Sequence, residues 1–217
     1  MKTESQVPTI VRLQLGAMRT NCYLLADSGE VAVIDPGFEP DRILAAVDRL
    51  PAPAQVKLVL NTHGHIDHIG ANAEIIRATG ARLLIGRQDA AMLSDAQGNL
   101  SVFLGQGIVS PPPDRLLDEG DTIDVGRTVL TVWATPGHTE GGICLIGDGF
   151  AFTGDTLFFD SMGRTDFPGG SDRKMQASLE RLVRSLPDES MIYPGHKDPG
   201  RMGDIKRVNM FLDFARW

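Results

Sequence analysis

Every histidine in this chain lies shortly after a short apolar run, and three of the five fall within six residues. The cluster reads Thr62-His63-Gly64-His65-Ile66-Asp67-His68. It follows almost directly on residues 56–60, an apolar run of strand length broken only by Lys57, which predicts a strand covered on both faces. His138 sits in Thr135-Pro136-Gly137-His138-Thr139 after a predicted strand Thr128–Ala134, and His196 in Tyr193-Pro194-Gly195-His196 after residues 191–193. Asp155, in Thr153-Gly154-Asp155-Thr156, follows residues 150–153 in the same way. Loops at one edge of a sheet are where functional residues gather, so this distribution asks for a fold that brings several strand ends together.

The residue types point to metal chemistry. Imidazole nitrogens and carboxylate oxygens suit zinc, iron or manganese. Side chains at the end of a rigid strand, with the small Gly64 between them, can converge on one point. A tetrahedral site takes about four ligands. Neighbours such as Asp67 and His68 diverge, so two ions use the cluster better than one: His63 and His65 for the first, Asp67 and His68 for the second. Capping of a helix beginning near Ile69 would also explain Asp67, but not three histidines.

The rest of the chain alternates strands with helices. Strands are predicted over Thr9–Leu15, 21–26, 31–34, 82–85 and 142–146. Pro40 suits a helix start, and Ile43, Leu44, Val47 and Leu50 follow at helical spacing. A second helix runs from near Ile69 to Gly80, a short one covers 88–93, and a third carries Met175, Leu179, Leu182, Val183 and Leu186 with Ser171 as its N-cap. The last is expected over 205–214. Gly98, Gly105, Gly107 and the Pro111-Pro112-Pro113 run make 95–115 a loop, either functional or an inert excursion. No linker divides the two similar halves, so we expect one domain over residues 1–217: two sheets packed together with helices outside.

Composition excludes several alternatives. At 42% hydrophobic and 23% charged residues the chain is an ordinary globular sequence, long enough for a self-supporting core. A net charge of −7 without a basic run argues against nucleic-acid binding. No apolar run approaches the ~20 residues of a membrane span. Residues 1–8 are polar and lack an apolar signal core, which predicts a cytoplasmic protein. Cys22 and Cys144 lie in apolar stretches and read as buried free thiols.

These motifs, taken in order, resemble the metallo-β-lactamase superfamily, and within it the glyoxalase II-like hydrolases. The likeness covers nearly the whole chain: Asn21-Cys22-Tyr23, Asp35-Pro36-Gly37, the 62–68 cluster, Pro136-Gly137-His138-Thr139, Gly154-Asp155-Thr156-Leu157-Phe158, Gly163-Arg164-Thr165-Asp166-Phe167 and Pro194-Gly195-His196. It implies an α+β fold, the αββα four-layer sandwich. It implies that His63, His65 and His138 hold a first metal, that Asp67, His68 and His196 hold a second, and that Asp155 bridges both. Two zinc ions, or iron or manganese, would then generate a bridging hydroxide that attacks a carbonyl carbon, with Asp67 as the catalytic residue orienting the water. The implied substrate is a small molecule, a thioester such as S-lactoylglutathione.

Departures from relatives narrow this. Asp155 argues against the true β-lactamases, and His65 against the flavodiiron proteins. The chain ends soon after its last predicted helix, without the helical extension that supplies basic residues for glutathione in full-length glyoxalase II. A persulfide dioxygenase holding one iron through His63, His138 and Asp155 shares the Gly163-Arg164-Thr165-Asp166-Phe167 stretch, and a lactonase is the other alternative. Arg164 and Asp166 read as an ion pair shaping their loop, and Lys197 as a surface lysine rather than an anion contact. Phe158, Phe159 and Phe167 fit either a pocket wall or the core. Tyr23 and Trp133 read as core.

Overall fold

Two six-stranded sheets face each other in the computed structural model, which describes residues 7–51, 53–105 and 107–216, with only the backbone described for 214–216. The polar segment 1–6 and Trp217 lie outside the described residues. In chain order the first sheet holds β1 (Thr9–Leu15), β2 (Thr20–Asp27), β3 (Glu30–Ile34), β4 (Gln55–Asn61), β5 (Arg82–Gly86) and β6 (Arg115–Leu117). Strands β1 to β3 are antiparallel and β3 to β6 parallel. The second sheet holds β7 (Thr122–Val125), β8 (Thr128–Ala134), β9 (Ile143–Gly147), β10 (Phe150–Gly154), β11 (Met191–Pro194) and β12 (Gly200–Arg201). Only its β10–β11 pair is parallel.

Helices α1 (Pro40–Val47), α2 (Ile66–Ile69) and α3 (Asn72–Thr79) cover the first sheet, and α4 (Asp172–Ser185) and α5 (Met202–Val208) the second. Between the sheets Ile34, Leu58 and Leu60 meet Val132, Leu145 and Phe152. Outside the first sheet Ile43, Ile66 and Ile75 pack on Val33 and Val59; outside the second Leu179 and Ile205 pack on Ala151 and Ile192. The layer order is therefore helix, sheet, sheet, helix, the expected αββα sandwich. Tyr23, Cys22 and Cys144 are buried, and both thiols are free. Trp133 is only half-buried, with the Arg181 guanidinium 4.4 Å above its ring.

Strand β4 is covered on both faces, and its polar exception is resolved by an irregularity. Val31 pairs with Val56 but Ala32 pairs with Leu58, so the register skips Lys57. Lys57 reaches solvent while Leu58 and Leu60 stay between the sheets. Burying a lone ammonium costs several kcal/mol, more than the roughly 1.5–3 kcal/mol that one aliphatic side chain contributes, so the pairing yields.

Other boundaries differ from the sequence expectation for local reasons. The helix expected from Ile69 to Gly80 is two, α2 and α3. Ala71 N donates to Pro36 O at 2.8 Å, and a Cβ on Gly70 would lie 2.3 Å from Gly37 O, so the chain bends onto the 35–37 turn. The last helix begins earlier, at Met202, and stops at Val208. Asn209 is extended there, with its side chain bonded to the carbonyls of Phe158 and Ser161, and a 3₁₀ helix Met210–Arg216 follows. The 88–93 helix is a 3₁₀ helix, Arg87–Ser94. The 95–115 stretch contains a further 3₁₀ helix, Ser101–Leu104, and ends in β6. Ser171 caps α4 as expected, its Oγ accepting from Lys174 N at 3.4 Å.

Candidate metal centre

The ends of strands from both sheets deliver their side chains to one edge of the sandwich. Past β4 come His63 and His65; α2, immediately after, carries Asp67 and His68. The loops after β8, β10 and β11 supply His138, Asp155 and His196. All seven residues singled out by sequence meet. Ligand-type atoms of His63, His65 and His138 lie within 4.8 Å of one another, as do those of His63, His68 and Asp155, and those of Asp67, His68 and His196. Each set could hold a metal ion. Asp155 Oδ2 lies 3.5 Å from Nε2 of both His138 and His196, and its Oδ1 lies 3.4 Å from His68 Nε2, so this carboxylate stands between the sets.

Buried groups behind the cluster fix the rings. Asp35 bonds Thr62 through both oxygens, to N at 2.7 Å and to Oγ1 at 2.7 Å, while its Oδ2 accepts from His68 Nδ1 at 3.0 Å. It does so from a left-handed backbone, φ 52°, a conformation that costs of order 1–3 kcal/mol and persists where the surroundings demand it. His138 Nδ1 donates to the Arg164 carbonyl at 2.6 Å, which leaves Nε2 to face the cluster. Thr20 Oγ1 donates to Asp67 Oδ2 at 2.8 Å. Asn61 Nδ2 donates to His68 O at 3.0 Å. Asp89 accepts from Gly64 N at 3.1 Å and Gly141 N at 2.6 Å, tying the 62–68 loop to the loop behind His138. Gly195 is required by the packing: a Cβ there would lie 2.3 Å from Asp155 Oδ1.

Thr20, Asn61 and Asp89 carry no local sequence signal, and Asp35 is visible only as part of the Asp35-Pro36-Gly37 motif, without a role. Arg164 acts through its backbone. Its side chain forms a bidentate pair with Asp166, two 2.6 Å contacts, as the sequence suggests. Phe158 and Phe167 line the cavity above the cluster, and Phe159 lines a neighbouring groove. Lys197 is an exposed lysine paired with Asp160 at 2.5 Å.

The electrostatics suit a cation. Burial, reinforced by the neighbouring histidines, holds the His63 pKa well below the usual value, and burial beside His138 lowers His65 to about 3, so both rings are neutral lone-pair donors. Burial favours protonation of Asp67, but His68 and His196 outweigh it and keep Asp67 ionised. Burial opposes a charge on His68 and on His196 as well; the surrounding carboxylates reverse this and raise both. Most telling are three buried atoms without a hydrogen-bond partner: His63 Nε2, His68 Nε2 and Asp155 Oδ1. An unmet buried polar group costs about 1–3 kcal/mol, and these three belong to residues whose ligand atoms converge. The donor set therefore fits divalent metal.

Above the cluster opens a cavity of about 510 Å³ lined by Met18, Leu100, Phe103, Leu104, Phe158 and Met162 together with the cluster itself. Among the described residues no helix is long and apolar enough to cross a membrane.

Comparison with known proteins agrees with this architecture. A hydroxyacylglutathione hydrolase named GloC from Haemophilus influenzae is 32% identical over 202 residues, covering 91% of this chain and 94% of that one. The BLEG-1 B3 metallo-beta-lactamase structure superposes with a TM-score of 0.88 at 28% identity, over 94% of this chain and all of the other. TTHA1623 in a di-iron-bound form gives 0.80 at 32% identity over 93% of this chain and 100% of that one. ETHE1 from Myxococcus xanthus gives 0.75 at 31% over 93% of this chain and 83% of that one. The family model described as the metallo-beta-lactamase superfamily matches residues 15–196, and the chain belongs to that superfamily.

Proposed function

We propose that this chain is a dinuclear metal-dependent thioester hydrolase and that residues 1–217 form one domain. The observation that carries the reading is the convergence of three buried ligand atoms that make no hydrogen bond, His63 Nε2, His68 Nε2 and Asp155 Oδ1, with four further ligand-type side chains. His63, His65 and His138 would hold one ion and Asp67, His68 and His196 the other, with Asp155 reaching both. Zinc is the metal we assign. A pair of such ions supplies a hydroxide nucleophile near neutral pH and polarises the carbonyl under attack.

The chain's own residues position the reactants. Asp67 lines the cavity, and its Oδ2 is fixed by Thr20 and by His196 at 3.1 Å. Its other oxygen accepts a hydrogen bond from the attacking water, which makes Asp67 the catalytic residue. Asp35 and the Arg164 carbonyl hold the His68 and His138 rings in their orientations.

The 32% identity to a protein named as a hydroxyacylglutathione hydrolase supports a thioester substrate. A single-iron persulfide dioxygenase would use His63, His138 and Asp155 and leave Asp67, His68 and His196 assembled without a role; the completeness of the second set favours two metals. A lactonase would use the same centre. The test is a panel of thioesters and lactones with metal-loaded protein. Turnover of thioesters above lactones, abolished by Asp155→Ala, is expected. Lactones cleaved in preference, or full activity in Asp155→Ala, overturns the reading.

A further inference from the structure

The 95–115 stretch, which by sequence is only a loop rich in glycine and proline, is braced from within. Asn99 is fully buried. Its carbonyl accepts from Ile66 N at 2.8 Å, its Nδ2 donates to Ile108 O at 2.9 Å, and its Oδ1 accepts from Ser101 N at 2.9 Å. Ser101 is buried beside it. Leu100 between them takes a left-handed backbone, φ 68°. These contacts anchor the loop to the first residue of α2, the helix that carries Asp67 and His68, and they aim the short 3₁₀ helix Ser101–Leu104 over the cavity.

That helix presents apolar side chains at a place where solvent should disfavour them. Phe103 is 80% exposed and Leu104 44%, and both line the cavity, as does Met18 at 42% from the β1–β2 turn. Phe158, Met162 and Phe167 complete the apolar lining. Arg164, the arginine side chain in this lining, is engaged by Asp166 and lies 4.1 Å over the Phe167 ring. A second cleft of about 490 Å³ meets the first at Met18 and His196, and it carries the polar groups that the first lacks, Gln14, Arg19, Asp160 and Lys197, beside Phe159.

We propose that the acyl half of the substrate is a bulky apolar group that packs against Phe103 and Leu104, with the thiol half lying in the polar cleft. This rests on the thioesterase reading above and specifies its substrate class. A cavity of this size fits a group of about six carbons or more; a small hydroxyacyl group would leave most of the apolar wall in contact with water.

The experiment compares zinc-loaded protein on N-acetylcysteamine thioesters with acetyl, butyryl, hexanoyl and octanoyl groups. The expected result is a kcat/KM that climbs about fourfold per methylene until the cavity is filled. Phe103→Ser should reduce the octanoyl-to-acetyl ratio about tenfold, with metal content unchanged, because it removes an apolar contact. A flat or falling series, a ratio unmoved by Phe103→Ser, or a dependence on the alkyl length of the thiol instead, overturns the proposal. Calorimetry with butyrate and octanoate reads the cavity without turnover. If no thioester is cleaved the activity assignment fails by itself, and tighter binding of octanoate that is lost in Phe103→Ser still upholds the apolar site. Equal binding of the two acids overturns it.

Discussion

Asp35 Oδ2 accepts a 3.0 Å hydrogen bond from His68 Nδ1, and the Nε2 of that ring faces the carboxylates of Asp67 and Asp155 at 3.3 and 3.4 Å. One carboxylate thus sets the direction of a ligand-type ring and, through Thr62, the start of the 62–68 loop. Supporting partners of this kind typically change metal affinity by about 10–100-fold. Asp35→Ala should lose affinity on that scale, measured by competition with a chelator of known strength. Asp35→Asn, which tolerates the left-handed backbone, should recover part of the loss. Wild-type affinity in Asp35→Ala would mean that the ring needs no such brace.

The His138 ring is held by a backbone atom, which separates two substitutions one residue apart. Arg164→Ala removes an exposed pair with Asp166 and the guanidinium 4.1 Å over the Phe167 ring, and leaves the carbonyl that accepts from Nδ1. Such surface pairs contribute little, so metal stoichiometry should stay at the wild-type value. Gly163→Ala would put a Cβ 1.9 Å from the Asp155 carbonyl oxygen, and the loop must shift. Elemental analysis should show metal lost from Gly163→Ala alone. Loss from Arg164→Ala as well would assign the ring's support to the side chain.

Asp89 joins two loops that the sequence keeps far apart. Removing its carboxylate strands two buried amides, those of Gly64 and Gly141, at about 1–3 kcal/mol each. Asp89→Ala should therefore lower unfolding stability by about 2–6 kcal/mol, measured in urea with chelator present so that metal binding does not mask the effect. A change no larger than that of a surface substitution would show that water replaces the carboxylate.

Asp27 ties the two sheets. It accepts from Arg127 N at 3.1 Å, Arg127 Nη2 at 3.1 Å and Thr128 Oγ1 at 3.0 Å. Burial raises its pKa, but these donors, with Ser28 Oγ at 3.0 Å, outweigh burial and hold the carboxyl below its usual value. A depressed carboxyl pKa contributes stability that is present above the unfolded value and is lost as pH falls through the folded one. The Tm advantage of wild type over Asp27→Asn should be full near about pH 6 and shrink on acidification below about pH 4. An advantage that does not change with pH would exclude an ionic contribution.

Much of the metal cluster was legible because its residues sit in short motifs directly after apolar strands, and strand ends at one edge meet whatever the loops do. The buried strands β2, β4 and β10 were legible for the same reason: a run of Val, Leu and Phe between turn residues has few other uses. The supports were not. Thr20 reaches Asp67 across 47 positions and Asp89 reaches Gly141 across 52, and no local pattern announces such contacts. Strand β7 did carry a signal, with Ile123 and Val125 buried and Thr122 and Asp124 exposed, but four residues are too few to stand out. The split between α2 and α3 depends on Gly70 meeting Gly37, a contact invisible in helical periodicity. The apolar wall from Phe103 was hidden because the surrounding glycines and prolines marked the whole segment as irregular.

Metal content, measured on protein purified without chelator or added metal, is the place to begin. A dinuclear hydrolase should hold about two zinc ions per chain, and Asp155→Ala should fall well below that. One iron per chain, with oxygen consumed in the presence of a glutathione persulfide, would instead make the chain an oxygenase and leave Asp67, His68 and His196 without the role assigned to them.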